Sequence, residues 1–143
     1  MTLPGQRSLR KQLDSNPLLL ALDGDEAILK TIVRLASAYY EVRTTRDPMR
    51  WLGWLQNSES VAMVITEHVL RNSNGVTLLE TARTCRPTAR RVLMTTYHDL
   101  AGIVAGLHSG AIERLVQKPF TRNEIMAALL PDNLPQTDQR ASA

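Results

Sequence analysis

The sequence predicts an α/β fold: a doubly wound, parallel, five-stranded sheet with helices on both faces. Three observations carry this. Leu18–Leu22 and Val61–Ile65 are apolar without alternation, as strands buried on both faces read. Segments of helical period lie between such runs, several opened by a capping residue. The chain of 143 residues suits one domain with its own core, and crossovers between parallel strands are right-handed.

In order, Leu18–Leu22 is the first strand, and Asp25 caps the first helix. Ile28, Ile32 and Ala36 mark one stripe of that helix, Leu29 and Val33 a second. Glu41–Thr45 is the second strand. Asp47-Pro48 then opens a helix as N-cap and first-turn proline, turning Trp51, Leu52 and Leu55 inward. Trp54, three residues after Trp51, is expected to be partly exposed as a contact surface. After Val61–Ile65, a turn through Asn72–Gly75 leads to a helix with Val76, Leu79 and Ala82 inward, followed by Pro87. Val92–Met94 reads as the fourth strand and Leu100–Leu107 as the fourth helix, stopped by Ser109-Gly110. Leu115-Val116 lies in a fifth strand. Thr121-x-x-Glu124 is a capping box opening a last helix with Ile125, Met126 and Leu129. Residues 1–16 read as a disordered lead-in, 17–130 as the folded domain, and 131–143 as a polar tail or the start of a linker.

Composition narrows the function classes. Hydrophobic residues make up 43% and charged residues 22%, ordinary values for a globular protein. Cys85 is the single cysteine, so no internal disulfide forms. No run approaches the roughly 18 apolar residues of a membrane span. The opening MTLPGQRSLRKQL lacks the apolar stretch of a signal peptide, so a cytoplasmic location is expected. A net charge of +3 is too small to argue for nucleic acid. Arg83, Arg86, Arg90 and Arg91 read as solvated cations near a helix end.

In open parallel sheets the working groups gather beyond the carboxyl ends of the strands. Asp23, Gly24 and Asp25 follow the first strand here, and Thr66, Glu67 and His68 the third. Thr95, Thr96 and Tyr97 follow the fourth, and Lys118, Pro119 and Phe120 the fifth. Acids, a hydroxyl and a lysine on one edge suit a metal or an ionic network. Glu67 stands out, because an acid directly after a buried strand must be solvated or paired.

With these motifs in this order, residues 17–130 resemble the receiver domains of two-component response regulators, a flavodoxin-like (βα)5 family with strand order 2-1-3-4-5. LLLALDGDEAILK is similar to the motif carrying the family's acidic pair, and VAMVITEHVLRNSNGVTLLETAR to the one carrying its phosphoaccepting aspartate. RVLMTTYHDL and SGAIERLVQKPF are similar to the motifs carrying its Thr/Ser and its Lys-Pro. The family glycine eight residues past the acceptor is Gly75, which places Glu67 at the acceptor position. Thr96, 22 residues before Lys118, takes the hydroxyl position, and Leu115 that of the aromatic switch residue. The segment Gly110–Pro119 carries one residue more than the commonest form, as in receivers fused to HD-type phosphodiesterases or hydrogenase-type transcription regulators, so an output domain after residue 131 is a further expectation.

The departures shape the expected function. Gly24 stands where the second acid of the pair binds magnesium, and Asp25 faces another way. Glu67 replaces the acceptor aspartate, and Leu70-Arg71-Asn72 replaces Met-Pro-Gly. The acidic pocket reduces to Asp23 and Asp25, and a residual magnesium site to Asp23 and Glu67. Phosphoryl transfer relies on positioning and on metal charge neutralisation, so both changes act against ordinary phosphorylation. Glu67 either mimics part of a phosphoryl group, pairing with Lys118 and Thr96, or marks a decayed site on a docking scaffold.

The expected role is a non-enzymatic signalling module with no resident cofactor. Its partner is a histidine kinase or a downstream effector domain, with a possible homodimer through the face of the fourth helix, fifth strand and fifth helix. Neither nucleic acid nor membrane is expected as a partner of this domain. Two alternatives are a working phosphoryl acceptor and a flavodoxin-like small-ligand binder, the latter disfavoured because DGDEA offers no glycine-rich phosphate loop. His68 is expected at the pocket mouth, and His98 and His108 at helix edges.

Overall fold

The computed structural model describes residues 16–97 and 99–131. The expected lead-in and tail therefore lie outside the described residues, apart from positions 16 and 131, as does His98. The elements run β1 (Leu18–Leu22), α1 (Glu26–Ala36), β2 (Glu41–Thr45), α2 (Pro48–Asn57), β3 (Met63–Glu67), α3 (Gly75–Cys85), β4 (Arg90–Thr95), α4 (Leu100–Ser109), β5 (Arg114–Gln117) and α5 (Arg122–Leu129). The five strands are parallel in the order β2-β1-β3-β4-β5, the flavodoxin-like 2-1-3-4-5 arrangement. A short antiparallel pair, Val69–Leu70 with Ser73–Asn74, sits between β3 and α3. Asn72 turns that pair in the left-handed region (φ 58°), which asparagine tolerates better than most residues.

All five residues of β1 are buried, because helices cover both faces of the sheet. Leu18, Leu20 and Leu22 face one core layer with Trp51 and Leu55 of α2, Leu78 and Leu79 of α3, and Ile103 of α4. Leu19 and Ala21 face the other, with Leu29 and Ile32 of α1 and Ile125 and Leu129 of α5. Trp51 is fully enclosed and its indole Nε1 donates to Leu20 O at 3.3 Å, so a large side chain loses no hydrogen bond on burial. Trp54 is half-buried against the same layer.

The caps explain the helix starts. Asp25 accepts from Ala27 N, Asp47 from Met49 N and Asn74 from Val76 N; at α5, Thr121 and Glu124 close a reciprocal box. Gly110 ends α4 at φ 86°, a conformation that favours glycine.

Several expectations change. The buried stripe of α1 is Leu29, Ile32 and Ala36, whereas Val33 is exposed, because only a single seam of an 11-residue helix meets the sheet. β3 begins and ends two residues later than its apolar run, so Glu67 is the last residue of the strand and not the first of a loop. β4 extends from Arg90 to Thr95.

The arginine group is also not simply solvated. Arg91 is buried and donates to Pro87 O, Ala89 O and Gly110 O, with Glu113 at 3.4 Å. Arg86 donates to Leu55 O and Ser58 O at the end of α2. Arg90 donates to Leu130 O beyond α5, which leaves Arg83 paired at the surface with Glu80. These carbonyls at helix ends and turns have no ladder partners, and guanidinium forks satisfy them.

Candidate functional site

Strand register assembles the site. Leu22 pairs with Thr66, which sets Asp23 beside Glu67. Thr95 pairs with Gln117, which sets Lys118 just beyond the edge of the sheet. The amides His68 N→Met94 O (2.8 Å) and Lys118 N→Thr95 O (2.7 Å) carry the ladder past the strand ends. Residues 95 positions apart thereby meet: Lys118 Nζ lies 2.6 Å from Asp23 Oδ2. Its distance to Glu67 Oε1 is 3.8 Å.

Each carboxylate has a defined set of partners. Asp23 is fully buried; Oδ1 accepts from Asp25 N at 2.8 Å and Oδ2 from Lys118. A buried charge is tolerated only when paired and hydrogen-bonded in this way. Glu67 Oε2 accepts from Gly24 N at 2.6 Å. Burial, together with the neighbouring Asp23 carboxylate, holds the Glu67 carboxyl above its usual range, against the opposing pull of the Gly24 amide and the Lys118 ammonium.

Asp25, expected in the acidic pocket, is exposed and spends its side chain on the α1 cap. Thr96 is exposed past the end of β4 and makes no hydrogen bond to a described residue. Thr95 takes the inward position: it is buried, its hydroxyl lies 3.0 Å from His68 Nδ1, and it accepts from Tyr97 N. Counting back from Lys118 landed one position late because the segment before it carries an extra residue. His68 is buried and not at a pocket mouth, while His108 is exposed in the last turn of α4. Leu115 is half-buried against the layer that holds Leu93 and Tyr97.

A doubly wound parallel sheet with Asp23, Glu67 and Lys118 converging at its carboxyl edge defines a receiver-type signalling domain. The chain belongs to the response regulator receiver domain family of two-component systems, whose model matches residues 19–130. It is 30% identical over 112 residues to the DNA-binding transcriptional regulator NtrC of Azospirillum brasilense, covering 78% of this chain and 23% of that protein. It is 31% identical over 120 residues to the photosynthetic apparatus regulatory protein RegA of Rhodobacter capsulatus, covering 83% of this chain and 64% of that one. The chain thus spans less than two thirds of the length of these relatives. Among solved structures, the signal receiver domain of an HD domain-containing protein from Pseudomonas fluorescens Pf-5 superposes with a TM-score of 0.72 at 32% identity, covering 80% of this chain and 91% of that one.

Magnesium, which the family resemblance implies, asks for about six oxygens in near-octahedral array. The donor set does not fit it. Both Asp23 oxygens and Glu67 Oε2 are already engaged, and Gly24 supplies no carboxylate. Among the described residues, no group of three or more His, Cys, Asp and Glu side chains is arranged to hold a metal.

Proposed function

We propose that this receiver domain is a static docking module of a response regulator, in which the Asp23–Lys118–Glu67 network stands where magnesium and a phosphoryl group would act. The observation that carries the reading is the Lys118 ammonium at 2.6 Å from Asp23 Oδ2, a cation already neutralising the pocket. Glu67, longer than aspartate by one methylene, is anchored on Gly24 N and presents a single negative charge towards Lys118. A phosphoryl group would bring roughly −1.5 to −2 and three acceptor oxygens, so the mimicry is partial. The Thr95 hydroxyl is held by His68, and Leu115 replaces the aromatic switch, which favours one conformational state over two.

The module has no turnover of its own and acts in the cytoplasm through a protein, either a histidine kinase or a downstream effector domain. Leu100, Val104 and Leu107 of α4 are exposed at i, i+4 and i+7, an apolar stripe suited to a second copy of the domain. No part of this role requires nucleic acid.

Intact mass after incubation with magnesium and acetyl phosphate tests the proposal. An unchanged mass supports it; a stoichiometric gain of one phosphoryl group overturns it. The second reading, a working acceptor, draws on the Glu67 carboxylate lying 3.8 Å from Lys118, close enough for the lysine to bind a transferred phosphoryl group.

A further inference from the structure

Beside Glu67, and away from Lys118, an open cleft of about 790 Å³ lies between the loops that follow β1, β2 and β3. Arg46 lines it from the turn before α2, Arg50 from the first turn of α2, and Arg71 from the loop after β3. None of the three guanidinium groups forms a hydrogen bond or ion pair with a described residue, unlike those of Arg86, Arg90 and Arg91, which serve backbone carbonyls. Three exposed guanidinium groups line one concavity, with donors that no described residue takes up. Guanidinium forks match phosphate geometry, which makes such a set suited to a ligand with more than one phosphate group.

The cleft also holds three acids, Glu26, Asp47 and Glu67, which offset the arginines in formal charge, but Asp47 and Glu67 are directed elsewhere and the guanidinium donors stay open to a ligand. The Asp47 carboxylate is engaged by Met49 N at 3.0 Å, and Glu67 by Gly24 N and Lys118. Glu26 remains, exposed in the first turn of α1. Leu29, Val69 and Leu70 add apolar surface to the lining, and Val69 is 59% exposed. The volume lies within the roughly 300–1,000 Å³ of small-molecule sites and far exceeds a single phosphate.

We propose that this cleft binds a small phosphorylated ligand of nucleotide size, its phosphates held by Arg46, Arg50 and Arg71 and its less polar part against Leu29, Val69 and Leu70. The site does not rest on the reading of Glu67 as a static acid, since the arginines stand outside the Asp23–Lys118 network. Through such a site a receiver that takes no phosphoryl group would still respond to a metabolite.

Isothermal titration of the full chain with ADP and with inorganic pyrophosphate is the test, repeated on Arg50→Gln, Arg71→Gln and Lys118→Gln. Saturable binding of both probes is expected, with each arginine variant about tenfold weaker, the loss of one charge-assisted contact. Lys118→Gln, less stable than the parent because Asp23 loses its cation, is titrated where its unfolding curve shows it folded; there its affinity should change less than about twofold, since the ammonium faces the acceptor pocket. Because the Arg50 and Arg71 side chains are exposed and have no partner among the described residues, their variants should keep the parent's unfolding curve, so lost binding reports the site. No saturable heat up to on the order of 1 mM would overturn the proposal. So would weakening by Lys118→Gln with both arginine variants unchanged, which would place the phosphates in the acceptor pocket. Pyrophosphate binding without ADP binding would overturn the nucleotide-sized occupant. Phosphoryl gain with acetyl phosphate would leave these outcomes standing, which keeps the two proposals separable.

Discussion

The Gly24 amide donates to Glu67 Oε2 at 2.6 Å, and a Cβ built on Gly24 would lie 3.4 Å from that same oxygen. The two departures from the family pattern therefore meet in one hydrogen bond. A longer acid at position 67 reaches the amide that follows Asp23, and a side chain at position 24 would stand in contact with its carboxylate. A carboxylate at position 24 would set a third acid beside Asp23 and Glu67, which already share the Lys118 ammonium.

Restoring the pattern should restore the chemistry only when both positions change. The double variant Gly24→Asp/Glu67→Asp is expected to gain one phosphoryl group from acetyl phosphate and magnesium, measured by intact mass. Glu67→Asp alone should gain far less, because the second magnesium-binding acid is still absent. Equal labelling of the single and double variants would show that Gly24 is not limiting.

The raised Glu67 carboxyl has a signed consequence for stability. The folded protein holds this proton to a higher pH than the unfolded chain does, so the stabilising contribution is complete below the ordinary glutamate range. It is lost as pH rises through the folded-state value. Glu67→Gln removes the titration, so its stability relative to the parent should increase with pH across that window. Urea unfolding from about pH 4 to 8 checks this, and a difference independent of pH would contradict it.

Lys118→Met should be strongly destabilising. It leaves the fully buried Asp23 carboxylate without its cation, at a cost of about 2–4 kcal/mol by analogy with other broken buried pairs. Adding Asp23→Asn should recover part of the loss, a coupling that a double-mutant cycle reads directly.

Arg91→Lys is expected to cost about 2 kcal/mol or more despite keeping the charge. A lysine cannot span the Pro87, Ala89 and Gly110 carbonyls that the fork serves together, and buried carbonyls are left unpaired. Chemical denaturation measures the loss, and Arg83→Lys, at an exposed pair, serves as the control.

Val104→Glu places a charge in the exposed α4 stripe, 50% exposed in the single chain. Sedimentation analysis should find the parent self-associating and the variant monomeric, with unchanged folding. A parent that remains monomeric at high concentration would remove the homodimer from the proposed role.

The sequence by itself determined the layers and their order. Unbroken apolar runs at β1 and β3, the caps Asp25, Asp47 and Thr121, and Gly110 are local signals, and each acts within a few residues of where it is written. It also placed Asp23, Glu67 and Lys118 at strand ends, because chain order and parallel topology suffice for that. Tertiary structure decided what depends on register and packing. Thr95 and not Thr96 points inward, since pairing with Gln117 fixes which side of β4 each residue takes. Arg86, Arg90 and Arg91 became internal donors because carbonyls distant in sequence end beside them. The three arginines of the cleft come from the start of α2 and its approach and from the loop after β3, which only the folded sheet brings together.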